Sequence, residues 1–327
     1  MGDWSAIGID LGGTQVRVAL VEGGEVRRRA AARTDVEGGP PAVLQQFKHL
    51  IGTICGVEER GHLAGVGISA PGPLDSETGT ILRIPTLPKW EGFALREVLA
   101  TDLGLPVVLE NDGVAAAFGE WLYGAGRGLR HLVYVTVSTG VGGGVVVDGR
   151  LLHGRRGMAG HVGHLRMALE GPVCSCGTIG CFEAFAAGTA LGRRARQAAT
   201  MHPEGLLGIW SASQMIEARH VVEGARQGDP TCIALLREEA AYLGAGFTSL
   251  IHLFSPERII MGGGVSQAFD LLIDDIHAVI RRDAMEPFKD VPVVRAGLGE
   301  NSGLVGAAAL VSDAVKRQNG TVTGTWP

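Results

Sequence analysis

Short apolar runs punctuated by glycine recur along the chain. Residues 6–10 and 16–21 flank a Gly-Gly-Thr turn and predict an opening strand hairpin. Val43, Leu44, Phe47, Leu50, Ile51 and Ile54 then recur at helical spacing behind Pro40 and Pro41, which suit a helix entrance. Buried strands are expected over 63–69 and 107–110, and an amphipathic helix over 114–122. A second series opens at Leu132, with a strand over 132–137, a glycine-rich turn over 138–144 and a return strand over 145–147 closed by Asp148-Gly149. Ile233, Leu236, Ala240, Leu243, Phe247, Leu250 and Ile251 mark a long core helix. A strand over 258–261 ends in Gly262-Gly263-Gly264, with a helix from near Val265. Strands alternating with helices predict an α/β protein with a mixed to parallel sheet. The two strand, glycine turn, strand units suggest a duplicated architecture, with no residue-level repeat behind it.

Length turns this pattern into two lobes. At 327 residues the chain suits two compact α/β domains and a cleft. A hydrophobic share of 46% against 19% charged residues excludes a disordered or nucleic-acid-coating chain. The formal net charge of -5 offers no global attraction to nucleic acid or an anionic membrane, so any phosphate binding must be local. No apolar run approaches the ~18 residues of a membrane span, and the first five residues lack the charge pattern of a secretory signal. The expectation is a cytoplasmic protein with no membrane and no nucleic-acid partner, ending in a frayed polar tail over 319–327.

Candidate chemistry sits at the turns. Asp10-Leu11-Gly12-Gly13-Thr14 places an acid at a strand end, two residues without Cβ in the turn and a hydroxyl beyond. Such a turn can present amides to a phosphate while Asp10 holds Mg²⁺ directly or through water. An unliganded hairpin turn is the competing reading of that segment alone. The run 138–144, containing Thr139 and Gly140, supplies a second such turn, and Gly262, Gly263 and Gly264 a third before Val265. None reads as a dinucleotide loop, which needs G-x-G-x-x-G between strand and helix. Asp112 follows the strand over 107–110 and opens a helix, where a carboxylate is either a general base or an ordinary N-cap.

Five cysteines form an odd set, unlike a secreted disulfide frame. Cys55 and Cys232 stand alone in helical stretches as small apolar residues. His164, Cys174, Cys176 and Cys181 form a Cys₃His set that suits structural, tetrahedral Zn²⁺, with a disulfide as the competing reading and His161 as a rival ligand. The remaining histidines carry no motif, and the pairs Arg155-Arg156 and Arg193-Arg194 read as solvated faces.

Taken in order, 10–14, 69–73, Glu110-Asn111-Asp112, 138–144, 160–164, the cysteine cluster through Glu183, and 262–265 resemble the ROK sugar kinases, and within them the bacterial ROK glucokinases. The resemblance spans nearly the whole chain. It implies the actin-like, ribonuclease-H-like ATPase fold, with ATP and sugar meeting in the cleft between two domains: 1–113 plus about 304–318, and 114–303. It further implies that Gly12, Gly13, Thr14, Thr139 and Gly140 touch ATP phosphates and that Gly262, Gly263, Gly264 and Val265 lie against the nucleoside. Gly72, Asn111, Asp112, His164 and Glu183 match sugar contacts, with Asp112 as the base. His164 would hold zinc with one ring nitrogen and offer the other to the sugar. Thr86 stands where an Asn is common and His161 where the family usually has Glu, both facing the sugar. Glucose phosphorylation is the leading expectation, with N-acetylmannosamine, N-acetylglucosamine or fructose as alternative acceptors and polyphosphate as an alternative donor. The family's sugar-responsive repressors carry an N-terminal helix-turn-helix, for which Asp10 comes too early. An inactive sugar-binding or scaffold protein is a further alternative. A homodimer or homotetramer is implied.

Overall fold

The computed structural model describes residues 4–84 and 86–318, so the tail over 319–327 lies outside the described residues. The first half contains β1 (Ser5–Leu11), β2 (Gln15–Glu22), β3 (Glu25–Arg33), α1 (Gly39–Ile54), the single turn α2 (Val57–Arg60) and β4 (Val66–Ala70). A small hairpin of β5 (Leu74–Asp75) and β6 (Thr80–Ile81) precedes α3 (Leu95–Leu103), β7 (Val107–Asn111) and α4 (Asp112–Tyr123). The second half opens with β8 (Leu132–Val137), β9 (Val141–Val147) and β10 (Arg150–Leu151), followed by α5 (Phe182–Ala186), α6 (Gly188–Met201), α7 (Leu206–Ser211) and α8 (Ala218–Arg226). It ends with α9 (Pro230–Phe254), β11 (Arg258–Gly262), α10 (Phe269–Asp283), β12 (Val293–Arg295) and α11 (Ser302–Gln318).

The two large sheets have the same order. One runs β3-β2-β1-β4-β7 and the other β10-β9-β8-β11-β12. In the first, β1 pairs antiparallel with β2 and parallel with β4, which pairs parallel with β7. In the second, β8 and β12 both run parallel to β11. The duplication suggested by the hydrophobic pattern is therefore one of topology.

Two compact units result. One comprises the described residues of Met1–Arg130, Gly144–Gly160 and Ala296–Pro327; the other comprises His131–Gly143 and His161–Arg295. This differs from a division after residue 113, because α4 packs along α11. A Cβ on Gly306 would fall 1.7 Å from the Ala115 carbonyl oxygen, and one on Gly119 would fall 2.6 Å from that of Ser302. Only hydrogen at these positions lets the two helices approach so closely.

In the first unit Ile7, Ile9, Phe47, Ile68, Trp90 and Leu109 are fully buried in one core. Gly8 and Gly67 seat α11 on the sheet, since a Cβ would lie 2.1 Å from the Leu304 carbonyl oxygen and 1.8 Å from that of Ala307. In the second unit Phe182 meets Phe247 edge-on at 6.2 Å, joining α5 to α9.

Three expectations are corrected. Gly142, Gly143 and Gly144 lie in β9 rather than in a turn. Their lack of side chains serves close packing: a Cβ on Gly143 would meet the Tyr134 carbonyl oxygen at 2.5 Å, and one on Gly144 the Ala117 Cβ at 2.6 Å. After Gly263 a 3₁₀ turn over Gly264–Ala268 comes first, and the α-helix starts at Phe269. Arg194 is not part of a solvated face, and Arg156, though partly exposed, is tied to a buried acid. Arg194 pairs with the fully buried Glu239 and lies over the Tyr242 ring, and Arg156 Nε donates to the buried Asp75 at 2.6 Å. Cys55 and Cys232 are buried as expected, and burial pushes the Cys232 thiol up to about 12. Among the described residues no helix is long and apolar enough to cross a membrane.

Candidate active site

The first unit carries two acids, Asp10 and Asp112, and a glycine turn between β1 and β2. Gly12, Gly13 and Thr14 link β1 to β2, with the Gly12 amide donating to the Gln15 carbonyl at 3.0 Å. Thr34 backs the turn, its hydroxyl donating to the Gly12 carbonyl at 2.7 Å and its amide to the Thr14 carbonyl at 3.0 Å. Among the described residues the Gly13 and Thr14 amides have no backbone acceptor, the arrangement an anion-binding turn needs. A Cβ on Gly13 would meet the Thr86 Cβ at 2.7 Å, so Thr86 lies directly against the turn. Gly72, after β4, is half-buried and joined to Pro73 by a cis peptide bond.

Asp10, the penultimate residue of β1, stands opposite Arg17 in the hairpin register, and Arg17 Nε donates to Asp10 Oδ2 at 2.9 Å. The Ser69 hydroxyl donates to Asp10 Oδ1 at 3.2 Å. No local sequence motif marks Arg17; the cross-strand register is the signal that finds it.

Asp112 opens α4, but it is not the cap. Asn111 takes that role, its Oδ1 accepting from the Gly113 amide at 3.0 Å, which leaves the Asn111 Nδ2 to donate elsewhere. Asp112 Oδ1 also accepts from Gly113 at 2.7 Å. Burial and then the Asp10 charge push the Asp112 carboxyl up to about 6, against smaller downward pulls from the Gly113 and Asn111 hydrogen bonds. A carboxylate poised near neutrality suits a general base. Behind it, buried Glu110 accepts from the Asn111 amide at 2.8 Å and lies 3.2 Å from His153 Nε2, so one of the unassigned histidines supports this strand end.

The second unit carries its own turn. The Ser138 amide donates to the Gly140 carbonyl at 2.9 Å, and among the described residues the Thr139 and Gly140 amides have no backbone acceptor. Glu183, on α5, accepts from the Val141 amide at 3.0 Å. Gly262 ends β11 beneath the Tyr134 ring, and Gly263 has φ +83° with its backbone against Val137. Glycine is required there on both counts. Gly264 and Val265 open the 3₁₀ turn that follows.

His164, Cys174, Cys176 and Cys181 converge, their ligand atoms all within 4.8 Å of one another. His164 Nδ1 lies 3.6 Å from Cys174 Sγ, and Cys176 Sγ lies 3.7 Å from Cys181 Sγ. With Zn–S near ~2.3 Å and Zn–N near ~2.0 Å, a tetrahedron has edges of about 3.6 to 3.8 Å. The donor set therefore fits zinc in type and spacing, with the His164 Nε2 left over. All five cysteines are free thiols. Burial pushes the Cys181 thiol up to about 12, so a cation is needed to hold it as thiolate at neutral pH. His161 is outside this cluster, with its ring centroid 6.2 Å from that of His164. Its surroundings, and secondarily His164, hold it below the usual imidazole value.

The sheet order shared by both halves, with amide-lined turns at its strand ends, is that of the actin-like, ribonuclease-H-like ATPase fold. Comparison with known proteins makes the class more specific. The ROK family profile matches residues 6–314, and the chain belongs to the ROK family. The glucokinase of Thermotoga maritima is 36% identical over 94% of this chain and 98% of its own length. That of Streptomyces coelicolor is 36% identical over 94% and 97%. The crystal structure of a ROK glucokinase from Streptomyces griseus in complex with glucose and AMPPNP has a TM-score of 0.82 at 38% identity, covering 94% of this chain and 98% of that one.

Proposed function

We propose that this protein transfers the γ-phosphoryl group of ATP to a hexose hydroxyl, with glucose giving glucose 6-phosphate, in the cytoplasm and as a homodimer or homotetramer. The observation that carries the reading is Asp112: capping of α4 by Asn111 and a carboxyl held near 6 leave it available as a proton acceptor. Phosphoryl transfer asks for alignment, charge neutralisation and somewhere for the hydroxyl proton to go. Asp112 takes that proton as the sugar oxygen attacks in line. Asn111 donates Nδ2 to a sugar hydroxyl, and Gly72, Thr86, His161, His164 and Glu183 complete the sugar contacts. Gly13, Thr14, Thr139 and Gly140 offer amides to the ATP phosphates, with Gly12 in contact with them as part of the same turn, its own amide donating to Gln15, while Gly262, Gly263, Gly264 and Val265 face the nucleoside.

Asp10 is the residue for Mg²⁺, which neutralises charge on the phosphates when bound. His164, Cys174, Cys176 and Cys181 hold a structural Zn²⁺, which fixes the loop so that His164 keeps Nε2 toward the sugar. The relatives named glucokinase support glucose as acceptor. Thr86 and His161 support a second reading, a kinase for fructose or an N-acetylhexosamine, because they replace the Asn and Glu usual at these positions. ADP release measured across glucose, fructose, N-acetylmannosamine and N-acetylglucosamine, with ATP and with polyphosphate, separates the two. Glucose with ATP should give the highest kcat/KM; no ADP release with any sugar would remove the kinase reading.

A further inference from the structure

The segment leading from the cysteine cluster into α6 grips the turn 138–140 at several points. The Gly188 amide donates to the Ser138 carbonyl at 2.7 Å, and the Thr189 hydroxyl to the Thr139 carbonyl at 2.7 Å. Glu183 Oε2 accepts the Val141 amide at 3.0 Å and lies so close to Gly140 that a Cβ there would fall 2.4 Å away. The other carboxylate oxygen, Oε1, accepts the hydroxyl of Ser175 at 2.6 Å. Ser175 stands between the ligand cysteines 174 and 176. One carboxylate thus has one oxygen on the knuckle and the other on the turn.

We propose that Ser175 is a positioning residue for the turn 138–140, acting through Glu183, so that the order of the cysteine knuckle is passed to the residues that hold ATP phosphates. The proposal rests on the assignment of Thr139 and Gly140 to those phosphates. Cys174 Sγ also lies 3.5 Å from Glu183 Oε1. As a metal-bound thiolate that sulfur has no proton to donate and repels the carboxylate, so the Ser175 hydroxyl becomes the group that keeps Oε1 in place. Without it the carboxylate swings away from the thiolate and loosens its hold on the Val141 amide. Each carboxylate oxygen retains a lone pair, so a sugar hydroxyl can be bound at the same time.

The test compares Ser175→Ala, Ser175→Thr and Gly140→Ala with the unsubstituted protein. The dissociation constant of AMPPNP with Mg²⁺ is measured by calorimetry, with zinc content and the KM values for ATP and sugar alongside. Ser175→Ala should keep its zinc yet bind AMPPNP about five-fold more weakly or worse, with the KM for ATP rising in parallel, as expected for loss of a hydrogen bond to a charged group. Ser175→Thr, which keeps the hydroxyl, should restore binding to within about two-fold. Unchanged AMPPNP affinity in Ser175→Ala alongside weakened affinity in Gly140→Ala would overturn the link while leaving the turn's assignment standing. Unchanged affinity in both would overturn the assignment too. Zinc loss in Ser175→Ala, or a rise in the sugar KM alone, would also overturn the link.

Discussion

Arg17 Nε donates to Asp10 Oδ2 at 2.9 Å, so the acid assigned to Mg²⁺ is already paired with a cation across the β1–β2 hairpin. Arg17 is held in turn by donation to the Glu300 carbonyl at 3.0 Å. The pair matters for Asp112, whose carboxyl is raised first by burial and second by the Asp10 charge. Arg17→Gln leaves the Asp10 charge uncompensated. The acid limb of the kcat/KM profile should then move to higher pH, by about half a unit or more. An acid limb in its original place would show that Arg17 does not screen Asp10.

Asp112→Asn should fold and lose turnover by roughly 10²–10⁴-fold, the range for removing a general base. It should also be more stable at neutral pH. The folded-state carboxyl is raised to about 6, so ionisation opposes folding above that pH, and the penalty fades as pH falls towards the unfolded value of ~3.9. Thermal melts should place the variant a few degrees above the unsubstituted protein at pH 8, with the gap closing at pH 4.5. A gap that stays the same at both pH values would contradict the shift.

His161 is held below the usual imidazole value, so it is neutral at physiological pH and both donates and accepts. Protonation removes the acceptor. The sugar KM should therefore rise as pH falls below the usual imidazole range, and His161→Glu should shift preference among hexoses by about ten-fold or more. A sugar panel unaltered by His161→Glu would remove His161 from the sugar contacts.

The pair of Arg194 and Glu239 lies inside the second unit, with Glu239 fully buried and Arg194 also donating to the Phe185 carbonyl at 2.6 Å. Arg194→Met leaves a buried carboxyl without its cation and should cost about 3–5 kcal/mol in denaturant unfolding. Adding Glu239→Gln should recover a large part of that loss, because it removes the buried carboxyl, which burial pushes up to about 8 even beside Arg194. If the double variant is no more stable than Arg194→Met alone, the coupling is absent.

Several elements were legible because their signals are local. The hairpin turn at 12–14, the strand into Asp112, the helix after it and the Cys₃His spacing each depend on residues a few positions apart. Other elements were not. β3 is a polar edge strand whose Arg27, Arg28 and Arg29 pair with Glu22, Glu59 and Glu300 instead of burying an apolar face, so no hydrophobic alternation announces it.

By itself the amino-acid sequence determined where the turns, strand ends and metal-type ligands fall, since backbone conformation and ligand spacing are set by near neighbours. Only tertiary structure decided what each of those groups meets. It made Asn111 the cap in place of Asp112 and put Arg17 on Asp10. It also drew Gly142 to Gly144 into a strand and joined Glu183 to both the knuckle and the turn. These outcomes rest on contacts between segments far apart in the chain or on which neighbour wins a hydrogen bond. Residue spacing does not encode either.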